Sequence, residues 1–166
     1  VISYIVFPVQ YFLTGIGEGV QPLISFYHGA KKEMEVRAVK KIAYTAEIIF
    51  GITAAAVTIC MIPYIGGWFG LSAESKQCFS SGMLISSFAF LLTGTAKLNV
   101  SCLNAVMQTK KAVFMTYIES LAVSPICLFL LPAVWDIRGI WLALPVTAGI
   151  MTGIYGLIRK DRKNEE

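Results

Sequence analysis

Charged side chains are scarce in this chain. Only 14% of its 166 residues are Asp, Glu, Lys or Arg, whereas 56% are hydrophobic. A soluble domain carries about a quarter charged residues to cover its surface. The composition therefore excludes an ordinary soluble globular domain and indicates a membrane protein.

Residues that support catalysis or bind metals are also few. The sequence has one histidine and four cysteines, and the cysteines show no CxxC spacing. One histidine leaves no triad to assemble, and no GxSxG turn, HExxH pair or glycine-rich phosphate loop occurs. We therefore expect no enzyme, no metal site, no cofactor and no disulfide framework, and we interpret the cysteines as small packing residues.

Long apolar blocks dominate what is present. Crossing a hydrocarbon core of about 30 Å takes roughly 20 helical residues, and strict apolar–polar alternation of the kind seen in barrel strands is absent. The sequence predicts an all-α, polytopic membrane protein whose transmembrane region covers residues 1–158. Its five predicted spans are about 3–27, 42–65, 79–107, 112–135 and 139–158.

The basic residues predict an orientation, because cytoplasmic loops retain Lys and Arg. Eleven of the 14 Lys and Arg residues fall in 31–41, 110–111 and 159–163. We expect these segments and the charged tail 159–166 to be cytoplasmic, and the N-terminus to lie outside. The basic 31–41 stretch, which lacks interleaved aromatic residues, suits anionic lipid headgroups rather than nucleic acid.

Aromatic residues support the same topology. Tyr and Trp rings concentrate at membrane–water boundaries, where one edge stays wet. The sequence places Tyr4, Tyr64, Trp68, Trp135 and Trp141 near the predicted outer boundary. The start on "VISYIVFPV", with no Met or basic leader, and the odd number of spans predict that the chain is a fragment.

The first predicted span contains a polar, helix-disturbing segment. Pro22 cannot donate a hydrogen bond to the carbonyl of Glu18, and Gly15 and Gly19 soften the same region. Backbone exposed at membrane depth is tolerated only where it faces protein or a watery cavity. Two interpretations of Gln21 and Pro22 stay open, a structural kink and a gating role.

The third predicted span carries the deepest charge, Lys97. A charge near the middle of the bilayer costs about 3 kcal/mol even on lenient scales, so Lys97 should face the bundle interior with a partner. We hypothesise that the partner is Glu18, with Glu47 or Glu119 as alternatives. Lys97 also belongs to a polar stripe with helical spacing, formed by Thr93, Lys97, Ser101, Asn104 and Gln108. The predicted lining of a transport cavity is Glu18, Gln21, Lys97, Ser101, Asn104 and Glu119.

Two stretches resemble the multidrug and toxic compound extrusion (MATE) transporters of bacteria. They are "GEGVQPLISFYHGAKKEMEVRAVKKIA", residues 17–43, and "LNVSCLNAVMQTKKA", residues 98–112, although "NAVMQTKK" departs from the family's more aromatic pattern. The resemblance implies helices eight to twelve of a twelve-helix protein, hence an incomplete six-helix C-terminal lobe. Its implied partners are membrane lipids, the missing N-terminal lobe and the seventh helix.

The resemblance also implies a function and a location. MATE proteins export drug-like cationic or amphipathic compounds across the bacterial inner membrane by sodium- or proton-coupled antiport. The family's cation-binding acids are not carried over, because the third span of this chain holds Lys97 and no carboxylate. Two alternatives stay open: a lipid-linked oligosaccharide flippase of the same superfamily, which a basic cavity with Lys97 would suit, and a membrane scaffold without transport.

Overall fold

The computed structural model describes the backbone of residues 1–70 and 72–165, and their side chains except at 73, 74 and 159–165. Every regular element in this part of the chain is helical. The predicted all-α class is therefore confirmed. The elements are α1 (Ile2–Gly29), α2 (Glu33–Trp68), α3 (Ala73–Ala105), α4 (Thr109–Ile118), a π-helical turn (Glu119–Val123) and α5 (Ser124–Glu165).

Short turns connect the first helices. Lys31, between α1 and α2, and Met107, between α3 and α4, have positive φ angles of 56° and 59° and reverse the chain within three residues. The α3 N-terminus is capped by Ser72, whose hydroxyl accepts a hydrogen bond from the Ser75 amide at 3.3 Å. Such short connections make sequential helices antiparallel neighbours.

Three helical stretches in the described residues are long and apolar enough to cross a membrane: Glu33–Trp68, Ser75–Ala105 and Thr109–Ile158. The five predicted spans are not confirmed. The first, within α1, does not meet this standard, and the fourth and fifth fall in one stretch of 50 residues. The side chains of the predicted tail 159–166 lie outside the described residues.

The 50-residue stretch is broken between the fourth and fifth predicted spans. Trp135 (φ −122°, ψ 18°) and Asp136 (φ 50°, ψ −137°) are not helical. A Cβ atom on Gly139 would lie 2.2 Å from the Leu131 carbonyl oxygen, eight residues earlier. Eight residues of straight helix would rise about 12 Å. The chain therefore folds back on itself here, and residues 124–134 and 137–158 form a helical hairpin.

Helix α3 lies at the centre of the bundle, in contact with α1, α2 and α5. Two apolar clusters join α1, α2 and α3, and a third joins α3, α4 and α5; they centre on Met83 and Phe90, on Ile24 and Leu98, and on Met115 and Met151. Gly17 brings α1 close to α3, since a Cβ there would lie 3.4 Å from the Leu98 Cα atom.

The outward faces of the helices are apolar. Large side chains such as Phe26, Ile42 and Phe129 are each more than two-thirds exposed. A soluble protein rarely exposes so many large apolar side chains. This surface is consistent with lipid as the surrounding solvent, and it gives the chain its membrane character.

Candidate functional site

Lys97 on α3 forms an ion pair with Glu119. The Lys97 ammonium donates a hydrogen bond of 2.8 Å to Glu119 Oε1, and the two side chains are 38% and 16% exposed. Lys97 lies eight residues before the end of α3, or about 12 Å along the helix axis. The structure thus pairs Lys97 with one of the two alternatives.

The predicted pairing of Lys97 with Glu18 is wrong. The Glu18 side chain is exposed on α1, and no ion pair joins it to Lys97 in the described part of the chain. Sequence gives the depth of a residue along a helix but not the direction in which its side chain points. Glu18 and Lys97 have comparable depths, yet the Glu18 side chain is exposed whereas the Lys97 ammonium binds Glu119.

Glu119 is the first residue of the π-helical turn Glu119–Val123. In a π turn the hydrogen bonds run from residue i to i+5, which widens the helix by one residue, and such turns often occur at functional sites. The turn lies between α4 and α5. It places the Glu119 carboxylate at the edge of a cavity.

This cavity has a volume of about 440 Å³ and lies between the start of α1, the middle of α3 and both arms of the α5 hairpin. Along α3 it extends from Ser86 to Ala96, or about 15 Å of helix. Its walls are mainly apolar, with Phe7, Leu128 and Trp141 among them. Its volume falls in the range of about 300–1,000 Å³ typical of pockets for drug-sized molecules.

Three buried polar atoms on the cavity wall have no hydrogen-bond partner in the described part of the chain. They are Ser86 Oγ, Thr93 Oγ1 and Trp141 Nε1. An unsatisfied buried donor or acceptor costs roughly 1–3 kcal/mol. The cavity therefore offers an incoming molecule a few polar contacts at fixed positions inside an apolar shell.

Of the six predicted cavity residues, only Glu119 lines this cavity, with Lys97 attached to it. Ser101 instead faces α1, where its hydroxyl would lie 3.0 Å from a Cβ on Gly17. Gln21 and Asn104 are half-buried elsewhere. A transport role for Glu18, Gln21, Ser101 and Asn104 stays a prediction.

The predicted kink residues of α1 are not at the cavity either. Helix α1 continues without interruption through Pro22, and the side of the helix at Gly15 and Gly19 is open space. The α1 residues that line the cavity belong to the other end of the helix, from Ile2 to Phe7. A gating role for Gly15, Gly19 and Pro22 stays a prediction.

Apart from Glu119, the residues that define the cavity are not among those predicted from the sequence. Trp141 was assigned to the outer membrane boundary together with four other aromatic residues, and those four are indeed exposed. Trp141 turns inward because Gly82 on α3 leaves room for it; a Cβ on Gly82 would lie 3.0 Å from the indole nitrogen. The small size of Gly82 is the signal that could have indicated an inward-facing Trp141. One sequence does not show that these two residues lie opposite each other.

No protein-family model, curated protein or solved structure matches this chain.

Proposed function

We propose that this chain is the C-terminal lobe of a MATE-like secondary transporter, which exports amphipathic organic compounds in exchange for protons or sodium ions. Support comes from the apolar helical surface, from the two stretches that resemble the family, and from the cavity between α1, α3 and α5. In this proposal the cavity holds the exported compound. The resemblance to the MATE family suggests that the protein lies in the bacterial inner membrane.

The observation that carries the proposal is the set of unpartnered polar atoms on an otherwise apolar wall. If these hydroxyl and indole groups only stabilised the helix bundle, we would expect them to form hydrogen bonds with each other or with the backbone. Elsewhere in α3 this is the rule, since the Ser87 hydroxyl donates to the Met83 carbonyl at 2.8 Å. Ser86, its neighbour, has no such bond and faces the cavity.

The ion pair favours one class of substrate over another. Lys97 neutralises Glu119 at the edge of the cavity, so the pair adds little net charge. A phosphate-bearing lipid needs an available cation, and Lys97 is already bound to a carboxylate. The arrangement suits an aromatic or amphipathic molecule that carries a hydrogen-bond acceptor for Trp141, and it gives the flippase alternative less support.

The test compares two tryptophans. Trp141→Phe keeps an aromatic ring and removes the indole N–H from the cavity. Trp135→Phe makes the same chemical change at an exposed position that does not line the cavity. The assay measures export of a fluorescent amphipathic dye from sealed vesicles that contain the full gene product. Loss of a hydrogen bond of about 0.5–1.5 kcal/mol predicts a rise of about 2- to 12-fold in the half-saturating dye concentration for Trp141→Phe alone.

Other results contradict the proposal. If both variants export dye with the same half-saturating concentration, the cavity is not part of the transport path. Absence of dye export together with translocation of labelled lipid supports the flippase instead. Absence of both activities, with the variants changing only assembly, supports the scaffold.

A further inference from the structure

We infer that Glu47, buried between α2 and α3 opposite Gly94, is a proton-binding site separate from the cavity and from the Lys97–Glu119 pair. Only 1% of Glu47 is exposed. Neither of its carboxylate oxygens has a hydrogen-bond partner in the described part of the chain. It differs in this respect from Glu119, which lies against Lys97.

The space that holds the Glu47 carboxyl group is provided by a glycine. A Cβ atom on Gly94 would lie 1.9 Å from Glu47 Oε1 and 2.9 Å from the carboxyl carbon. No side chain larger than hydrogen fits at residue 94 while Glu47 keeps this position. The two helices therefore form a fitted recess for one carboxyl group, which is a more specific arrangement than an acid that happens to be buried.

A proton is the ligand that such a recess needs. An ionised carboxylate without a partner is very costly in an apolar environment, so the group is stable there in its neutral form. The charged groups on the helices packed against it do not supply a partner. Glu18 on α1 is exposed, and Lys97 on α3 is held by Glu119. The ion pairs seen in the described part of the chain, His28–Glu33 and Lys97–Glu119, do not include Glu47.

Further polar groups lie between this recess and the basic end of α2. Tyr44 lies one turn before Glu47, and its hydroxyl donates a hydrogen bond to Asn99 Oδ1 on α3. Lys40, in the basic 31–41 stretch, lies one further turn toward the start of α2, and residues 40, 44 and 47 share one face by helical spacing. Asn99 is itself buried, with 2% exposure. The distance from Lys40 to Glu47 along the axis is seven residues, or about 10 Å.

The use of this proton in export rests on the proposed function. Glu47 takes one proton from water on one side of the membrane and returns it to the other side when α2 and α3 separate. One O–H bond forms and the same bond breaks. The carboxylate is charged only while water reaches it, so the closed interface between α2 and α3 forms with the proton bound.

Chemical modification tests the site without any transport. Dicyclohexylcarbodiimide reacts with protonated carboxyl groups in apolar surroundings, and peptide mass spectrometry locates the product in the protein reconstituted in lipid vesicles. We expect Glu47 to be modified at low pH, with modification falling as the pH rises, and Glu119 to stay unmodified because the Lys97 ammonium is hydrogen-bonded to its carboxylate. Gly94→Ala should displace the carboxyl group and reduce its modification at least several-fold.

Two results would overturn the site. One is an unmodified Glu47 at every pH while Glu119 becomes modified in a Lys97→Met variant, which shows that the reagent reaches buried acids. The other is protection of Glu47 by sodium chloride, but not by potassium chloride, at constant pH, which assigns the recess to sodium.

Transport then tests the role. Glu47→Gln preserves size and a neutral charge, so we expect the protein to fold, to exchange dye across the membrane, and to lose at least tenfold of the export driven by a pH gradient. Undiminished pH-driven export in Glu47→Gln refutes the coupling role. Absence of all dye transport in the unsubstituted full gene product refutes the proposed function, while the modification result still decides the site.

Discussion

Removing one member of the Lys97–Glu119 pair should destabilise the protein more than removing both. In Lys97→Met the Glu119 carboxylate, 16% exposed, loses the ammonium 2.8 Å away. In Glu119→Gln the lysine loses its counter-charge at about 12 Å from the end of α3. The double variant has no charge left to compensate, and its side chains approximate the shape of the original pair.

The expected magnitude follows from the burial of the two side chains. Breaking a fully buried pair costs about 3–5 kcal/mol, whereas exposed pairs contribute about 0–1 kcal/mol. The Glu119 side chain is mostly buried, but that of Lys97 is more than a third exposed. This exposure lowers the expected loss of unfolding free energy below that of a fully buried pair. We expect each single variant to lose about 2 kcal/mol of unfolding free energy, roughly a 30-fold change in the equilibrium, and the double variant to lose less than either.

Reversible unfolding in mixed micelles, followed by tryptophan fluorescence, measures these free energies as a double-mutant cycle. The matched control is the pair His28–Glu33, whose atoms lie 3.3 Å apart and whose side chains are 34% and 58% exposed. Its variants His28→Gln and Glu33→Gln should show a coupling of less than about 0.5 kcal/mol. If the losses of unfolding free energy at Lys97 and Glu119 are additive, with a coupling energy no larger than that of the control pair, the two charges do not stabilise each other.

Two further predictions concern the hairpin and the orientation. Gly139→Ala should lose about 1–3 kcal/mol in the same unfolding assay, because a Cβ there meets the Leu131 backbone at 2.2 Å. Gly149→Ala, with open space around it, should lose nothing, and equal losses at both positions would contradict the hairpin. Cys78, exposed near the start of α3, should react with a membrane-impermeant maleimide in intact cells; labelling only after the membrane is opened would reverse the predicted orientation.

The sequence was sufficient for the helices but not for their exact lengths. Helix α2 begins at Glu33, nine residues before the predicted span, because its first residues are charged yet still helical. Hydropathy marks the part of a helix that suits lipid, whereas the backbone continues to hydrogen-bond beyond it. The turn at Trp135 and Asp136 was predictable because an aromatic, an acid, a base and a glycine interrupt two apolar blocks.

The site was less predictable because its residues depend on how each helix is rotated about its axis. Lys97 was identified from the cost of a charge at depth, and Glu119 only as one of three possible partners. The cysteines show the same difficulty, since Cys102 and Cys127 are buried as expected while Cys60 and Cys78 are exposed. The recess at Gly94 depends on a glycine and a glutamate 47 residues apart, and one sequence contains no signal that links them.

The π-helical turn makes the Lys97–Glu119 contact depend on the number of residues in the chain. One residue of an α-helix corresponds to a rotation of about 100°, and the π turn holds one residue more than an ordinary turn. Deleting a single residue from 120–123 would remove this extra residue and return the segment to uniform α-helical winding, so the widened turn that carries Glu119 would be lost. Variation in length within these four positions is therefore far less tolerable than replacement of their side chains.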